Sequence, residues 1–406
     1  MRLPGRPECD DAGVGAIDPS EVPPLAGIEV HAVDRALATP VLRGAKRFAK
    51  LSAVATIRDV ASEVGVSVTT VSHALSGKRP VNTQLRRRIR ETADRLGYRP
   101  NRIAAAMTTG KTHTLGMVVP DIANPFFGEL LASAERAAGE RGYTVIGCSS
   151  ELDSTRETRD VRALLDRRVD GLIYLASSTG ANPALAEVEQ ARVPIVALDE
   201  EMSTLPGTAL VVTVDNEQGG ALAAGHLLEL GHEEIAVVAG PRGLPTASAR
   251  LAGFVEALAQ AGRRLTRSRI VRADAYRMSS GRKAGAALLE RDEALTAIFC
   301  ANDLIALGVI EAVRELGRDV PAGVSVVGFD DSFVASLVSP PLTTIRQPLA
   351  RLGKKAANLT IDLIEDPLGP HAGRQFPVEL VVRGSTSRPS RCAPVGRENG
   401  IERRVP

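Results

Sequence analysis

The chain has 406 residues, a formal net charge of +2, 44% hydrophobic and 3% aromatic residues. That length suits two or three domains and that apolar share supports true cores, so fibrous and wholly disordered classes are excluded. No apolar run reaches membrane-spanning length and no secretory signal precedes the first folded pattern, which points to a cytoplasmic protein without a membrane partner.

Residues 1–53 are rich in Pro, Gly and Ala, balance seven basic against seven acidic residues, and lack sustained periodicity, so they read as a disordered extension. Because nothing before Val54 looks folded, translation from a start near Val54 is the expectation. From there the pattern changes. Thr56 is placed to cap a helix running to about Glu63, with Asp59 at its positive end and Val60, Ala61 and Val64 on one face. Gly65 breaks that helix, and Ser67 caps a second one running to about Leu75. Helix, tight turn and helix make a helix-turn-helix. Val71 and Leu75 are expected to pack inward, leaving Val68, Thr69, Ser72 and His73 to reach base edges in a major groove. Asn82 caps a third helix in which Leu85, Ile89, Ala93 and Leu96 recur at helical spacing, and Gly97 stops it.

The outer face of that third helix carries Arg86, Arg87, Arg88 and Arg90. An Arg-rich face is often merely solvated, but here charge is concentrated. From Val54 to His113 the balance is +7, which leaves −5 for residues 114–406. A nearly neutral chain thus hides a basic head, the footprint expected of phosphate contacts. Asn101 to Met107 has the length of barely two helical turns, too few to be stable alone, so its ordering should wait for a partner. Ala105 to Thr112 reads AAMTTGKT, close to a phosphate-cradling loop. Such a loop must follow a strand and open a helix, whereas this one ends a helix and opens a strand, so nucleotide hydrolysis is rejected.

Short apolar runs then alternate with helical patterns at Leu115 to Pro120, Tyr143 to Ser149, Gly171 to Ala176, Pro194 to Asp199 and Leu210 to Asp215. A second series follows at Ile235 to Gly240, Ile270 to Asp274, Ala297 to Ala301 and Val324 to Asp330. Two βα series imply two lobes with doubly wound parallel sheets. Ligands of such sheets collect beyond the carboxyl ends of strands. Asp121 and Asn124, with Phe126 and Phe127 behind them, stand there, as do Asp215 with Asn216, Asn302 with Asp303, and Asp330 with Asp331. Each could simply cap the next helix; their recurrence favours a polyol or sugar cleft in which an aromatic covers the ring.

Cys9, Cys148, Cys300 and Cys392 show no metal-ligand or redox spacing, and His226 and His232 do not share a helical phase, so no metal or cofactor is expected and these histidines read as structural.

The stretch ATIRDVASEVGVSVTTVSHALSGKRPVN followed by RLGYRPNRIAAAM resembles the head and hinge of the lactose-repressor and purine-repressor family, and the likeness extends through nearly all of residues 54–387. It implies a head at 54–100, a hinge helix and linker at 101–113, an effector-binding and dimerising body at 114–387 built like a two-lobed periplasmic sugar-binding protein, and a disordered tail at 388–406. The chain should cross between lobes near Asp215, Gln347 and Gly369. For DNA, the resemblance adds Thr56, Thr70, Asn82, Tyr98, Asn101, Arg102 and Ala104 to the outward residues of the second helix, with Met107 as the minor-groove wedge where Leu is usual. For the effector, Phe126 and Phe127 match the family's cleft aromatics, Arg250 its ligand-gripping arginine, Asp330 its second-lobe carboxylate, Thr246 a cleft threonine and Asn302 an amide; Tyr276 covers the other side. Leu244 stands where the purine-binding member has arginine, which argues against a purine.

These readings give an all-α helix-turn-helix head on an α/β two-lobed body: a homodimeric repressor of a pseudo-palindromic operator in double-stranded DNA, induced by a small molecule, a sugar, through coupled binding. The tail lacks a leucine heptad for tetramers. An enzyme would need a nucleophile and base, a metal cluster or a phosphate loop, none of which has supporting context. The alternative is a sugar-binding carrier or sensor without DNA function, which leaves the basic head unexplained.

Overall fold

The computed structural model describes residues 55–77, 79–99, 110–175, 182–201 and 205–389. Contacts divide the chain into two compact units, one through Asn101 and the other from Arg102. The first holds α1 (Ile57–Val64), α2 (Val68–Ser76) and α3 (Thr83–Leu96). Gly65, Gly77 and Gly97 close these helices at φ 75°, 70° and 66°, a left-handed turn that costs a residue without Cβ nothing. Val60, Ala61, Val64, Val71, Ala74, Ile89 and Ala93 form its core. Ala74, rather than Leu75, is the buried partner of Val71 in α2; Leu75 sits half-buried at the core's edge.

In the second unit, one lobe begins with β1 (Thr114–Val119), α4 (Pro125–Glu140), β2 (Thr144–Ser149), α5 (Ser154–Asp166), β3 (Gly171–Tyr174), α6 (Pro183–Gln190), β4 (Ile195–Leu198) and β5 (Leu210–Val214). The other lobe follows with α7 (Asn216–Glu229), β6 (Ile235–Ala239), α8 (Pro245–Gln260), β7 (Ile270–Arg272), α9 (Met278–Arg291), β8 (Ala297–Cys300), α10 (Asp303–Glu315), β9 (Ser325–Asp330), α11 (Val334–Leu337) and β10 (Thr343–Arg346). The chain then returns for α12 (Leu349–Glu365) and β11 (Arg374–Phe376) and crosses once more for β12 (Glu379–Val381). Each lobe carries a six-stranded sheet, ordered β11-β5-β4-β3-β1-β2 and β12-β10-β9-β8-β6-β7. All pairings are parallel except β10 with β12. Central strands such as Ile195–Leu198 and Ala297–Cys300 are buried throughout, as expected of parallel strands covered on both faces.

The lobes join at Asp215, at Gln347–Pro348 and between Phe376 and Glu379. The last crossing lies beyond Gly369 because Arg374 to Phe376 pair alongside Val212 to Val214 and keep the chain in the first sheet until then. There Asp215 N–H donates to the Phe376 carbonyl at 2.9 Å, so two crossings brace each other. His226 and His232 anchor the end of the body, bonding Thr386 Oγ1 and the Ser387 carbonyl at 2.9 and 2.8 Å.

Candidate DNA interface and effector cleft

In the head, each helix start is satisfied by a different device. Ser67 Oγ accepts from Thr70 N–H at 3.1 Å, and Asn82 Oδ1 from Gln84 N–H at 2.9 Å. At Thr56 the bonding runs opposite to a simple cap: its N–H and hydroxyl both donate to Asp59 Oδ2 at 2.7 Å, and the Asp59 N–H goes to the Thr56 carbonyl. The Thr56 backbone N–H, then its hydroxyl, hold the Asp59 carboxyl below its usual value. With α1 and α3 fixed, α2 turns Val68, Thr69 and Ser72 outward, Val68 being 40% exposed, while Thr70 and His73 are half-buried. An exposed valine flanked by short hydroxyls is a surface fit for thymine methyls and base-edge acceptors. Thr70 is partly committed to Ser67, its hydroxyl 2.8 Å from Ser67 Oγ. Tyr98 packs against the head's core.

The arginines of α3 divide in the same way. Arg87 pairs with Glu91 at 2.8 Å and Arg88 reaches the Val64 carbonyl at 3.4 Å, tying α3 to α1, whereas Arg90 faces solvent. Asn101, Arg102, Ala104 and Met107 lie outside the described residues.

In the body, the two lobes face each other across strand ends. Asp121 Oδ2 pairs with Arg277 of the other lobe at 3.1 Å, and Glu129 Oε1 accepts from Phe333 N–H at 3.2 Å. Between the lobes lies a cavity of about 30 Å³, room for about a water or two and too small for a monosaccharide in this arrangement of the lobes. Its walls include Asp121, Asn124, Phe127 and Tyr276, together with Leu152, Leu175, Asp199, Glu200 and Leu244. Asn124 Oδ1 also caps α4 by accepting from Phe126 N–H at 3.1 Å, and Phe126 buttresses Phe127 edge-to-face at 5.0 Å.

Phe126, Thr246, Arg250, Asn302 and Asp330 stand behind this wall rather than in it. Arg250, 3% exposed, donates from Nε to Asn216 Oδ1 at 2.8 Å and from Nη1 to the Ala301 carbonyl at 2.7 Å. Its guanidinium lies 3.8 Å above the Phe329 ring and 3.6 Å from Asp330 Oδ1. Burial alone would lower its pKa; Tyr276 and Asp330, with Asp199 and Glu200, reverse the sign. Asp330 accepts from Gln347 Nε2 at 2.8 Å, which links the site to the second crossing, and burial pushes its carboxyl well up. Asn302 Oδ1 caps α10 through Ile305 N–H at 2.9 Å. Arg250, Asn302 and Asp330 therefore stiffen the second lobe's strand ends.

Asp199 and Glu200 escaped the sequence reading, although Asp199 ends a strand as Asp121 does and the same strand-end rule could have marked it. Glu200 reaches across the cleft and accepts from Thr246 Oγ1 at 2.5 Å and Thr246 N–H at 3.1 Å. Helix α8 begins after Leu244, which has no side-chain acceptor to offer, so a carboxylate from the opposite lobe serves as its cap. Burial, then the charge of Asp199, push Glu200 up to about 7 against the Thr246 bonds. An acid raised above its unfolded value near 4.5 contributes least once ionised, so the Tm of the chain relative to Glu200→Gln should fall as pH rises from about 4.5 through about 7. A relative Tm that rises across that window would contradict this assignment.

Comparison with known proteins agrees with these two modules. Residues 56–101 match the model for bacterial regulatory proteins of the lacI family, and residues 224–386 match the periplasmic binding protein-like domain. The HTH-type transcriptional regulator DegA of Bacillus subtilis is 36% identical, covering 82% of this chain and 98% of the relative. Among solved structures, the lac repressor dimer bound to operator and the anti-inducer ONPF aligns with a TM-score of 0.71 at 29% identity over 82% of this chain and 99% of its own. A LacI family regulator from Enterococcus faecium with bound ribose aligns with a TM-score of 0.60 at 31% identity over 68% of this chain and 100% of its own. The head match removes the carrier alternative, and no helix among the described residues is long and apolar enough to cross a membrane. The chain belongs to the lacI family of bacterial regulatory proteins, DNA-binding transcriptional repressors and not enzymes.

Proposed function

We propose that this repressor binds a pseudo-palindromic operator as a homodimer and that a small polyhydroxylated molecule, held between the lobes, changes its operator affinity. The observation that carries the effector reading is a buried carboxylate oxygen without a hydrogen-bond partner, Asp199 Oδ1, in the wall of a cleft that also presents Phe127 and Tyr276. A buried polar atom without a partner costs about 1–3 kcal/mol, a penalty that a hydroxylated ligand removes. The ribose held by the Enterococcus faecium regulator supports a sugar. Val68, Thr69, Ser72 and His73 read bases, Thr56, Thr70, Asn82 and Tyr98 position the head, and Asn101, Arg102, Ala104 and the wedge Met107 act in the minor groove. Dimerisation draws on exposed apolar residues of the second lobe, Phe333 at 57% and Leu337 at 74% exposure. Closure that favours one arrangement of the paired lobes couples effector to operator by about 1–3 kcal/mol.

Selection of sites from a random duplex library by the full chain should enrich a palindrome with a flexible pyrimidine–purine step at its centre. Affinity for that site should fall steeply with salt, as phosphate neutralisation requires. Enrichment of isolated half-sites, or binding that ignores salt, would defeat the dimeric operator reading.

A further inference from the structure

The cleft wall is chemically lopsided. It includes the carboxylates of Asp121, Asp199 and Glu200 and the aromatic rings of Phe127 and Tyr276, and no Lys or Arg. Asp121 is neutralised by Arg277, and Glu200 is held by two bonds from Thr246. Asp199 is left over. It is 8% exposed, its Oδ1 has no hydrogen-bond partner, and it sits beside Glu200. The cation that acts on it, Arg250, is already engaged by Asn216, the Ala301 carbonyl and Asp330. A buried carboxylate with a second acid beside it and no hydrogen bond at one oxygen is kept only at a cost to the unliganded protein.

Resting on the sugar-cleft reading above, we propose that Asp199 and Glu200 form the specificity-determining pair of the cleft, admitting polyols that bring hydrogen-bond donors, amine-bearing ones foremost, and turning away phosphorylated or carboxylated ones. Asp199 Oδ1 accepts from the ligand, and Tyr276 OH supplies a second contact. An ammonium offers several donors and a charge opposite to that of ionised Asp199, and the flanking rings give it a favourable quadrupole. A phosphate finds no cation in the wall and meets the acids at close range. Glu200 strengthens the exclusion. The N-terminus of α8 would otherwise suit an anion, and Glu200 already occupies it from across the cleft.

The test compares D-glucose, D-glucosamine and glucose phosphate by calorimetry and thermal shift on the full chain and on Asp199→Asn. Asn tolerates the left-handed backbone at this position, φ 72°, so the substitution changes charge with little strain. The wild type should bind glucosamine about tenfold more tightly than glucose and show no saturable shift with glucose phosphate, and Asp199→Asn should erase that order. Without any ligand and at a pH where Asp199 is ionised, Asp199→Asn should raise Tm by about 2 °C or more, because it removes an acid whose ionisation burial opposes. Glucose phosphate binding the wild type as well as glucose does would overturn the proposal, and so would a lower ligand-free Tm for Asp199→Asn. Should none of the three bind, the proposal fails for hexoses, while the ligand-free comparison still decides whether Asp199 is an acid held in reserve.

Discussion

Arg250→Ala should destabilise the body by about 3–5 kcal/mol and abolish the effector response, even though Arg250 does not line the cavity. The substitution strips Asp330 of its cation while leaving it 4% exposed, and it frees Asn216 Oδ1 and the Ala301 carbonyl of their donor. It also removes the group stacked 3.8 Å over Phe329. Asp330 is bonded to Gln347 at a crossing between lobes, so the damage reaches the segment about which the lobes must move. Denaturant unfolding of the body measures the loss, and operator binding with and without effector measures the response. Adding Asp330→Asn should recover part of the stability, since the stranded charge is then gone. A double variant no more stable than Arg250→Ala would show that the stranded carboxylate is not the cause.

Arg250 also shows what the sequence could and could not tell. The family resemblance implied a guanidinium that grips something, but not that its donors are spent on the protein itself, because those partners come from segments 34 and 51 residues away. Local signals fared well: caps at Ser67 and Asn82, glycine stops, and apolar runs marking nine of the strands. The strands from Thr343 onward were missed. Arg374–Phe376 and Glu379–Val381 are three residues each, too short for a period to show. The cleft acids stayed hidden for a different reason. Asp199 stands at a strand end like several other acids and Glu200 just beyond it, and what distinguishes them is the burial of both and the bond by which Glu200 crosses from one lobe to the other.

Glycine substitutions in the second lobe should split by sign, and the split depends on packing that glycine content alone does not reveal. Helices α7 and α8 cross at Gly220 and Gly253, where an added Cβ would lie 2.1 Å from the Arg250 carbonyl oxygen and 1.9 Å from that of Glu217. Helices α9 and α10 repeat the arrangement: a Cβ on Gly281 would lie 2.2 Å from the Ile305 oxygen, and one on Gly308 2.0 Å from the Met278 oxygen. In each case the obstacle is backbone, which no rotamer change can move aside. Gly253→Ala and Gly308→Ala must therefore push whole helices apart, and each should cost about 3 kcal/mol or more, at or beyond the top of the usual overpacking range. Gly225 lies in the same helix as Gly220 with nothing within 4 Å of an added Cβ, so Gly225→Ala should stabilise by about 0.5–1 kcal/mol through helix propensity. Chemical denaturation of the three variants decides the matter; a mild loss at Gly253 and Gly308 would mean that the helix pairs can slide. Rigid pairs matter to the proposed function because a lobe that cannot slide internally must move as one body, so that any closure on an effector would be delivered undiminished to the three crossings at Asp215, Gln347–Pro348 and the segment after Phe376.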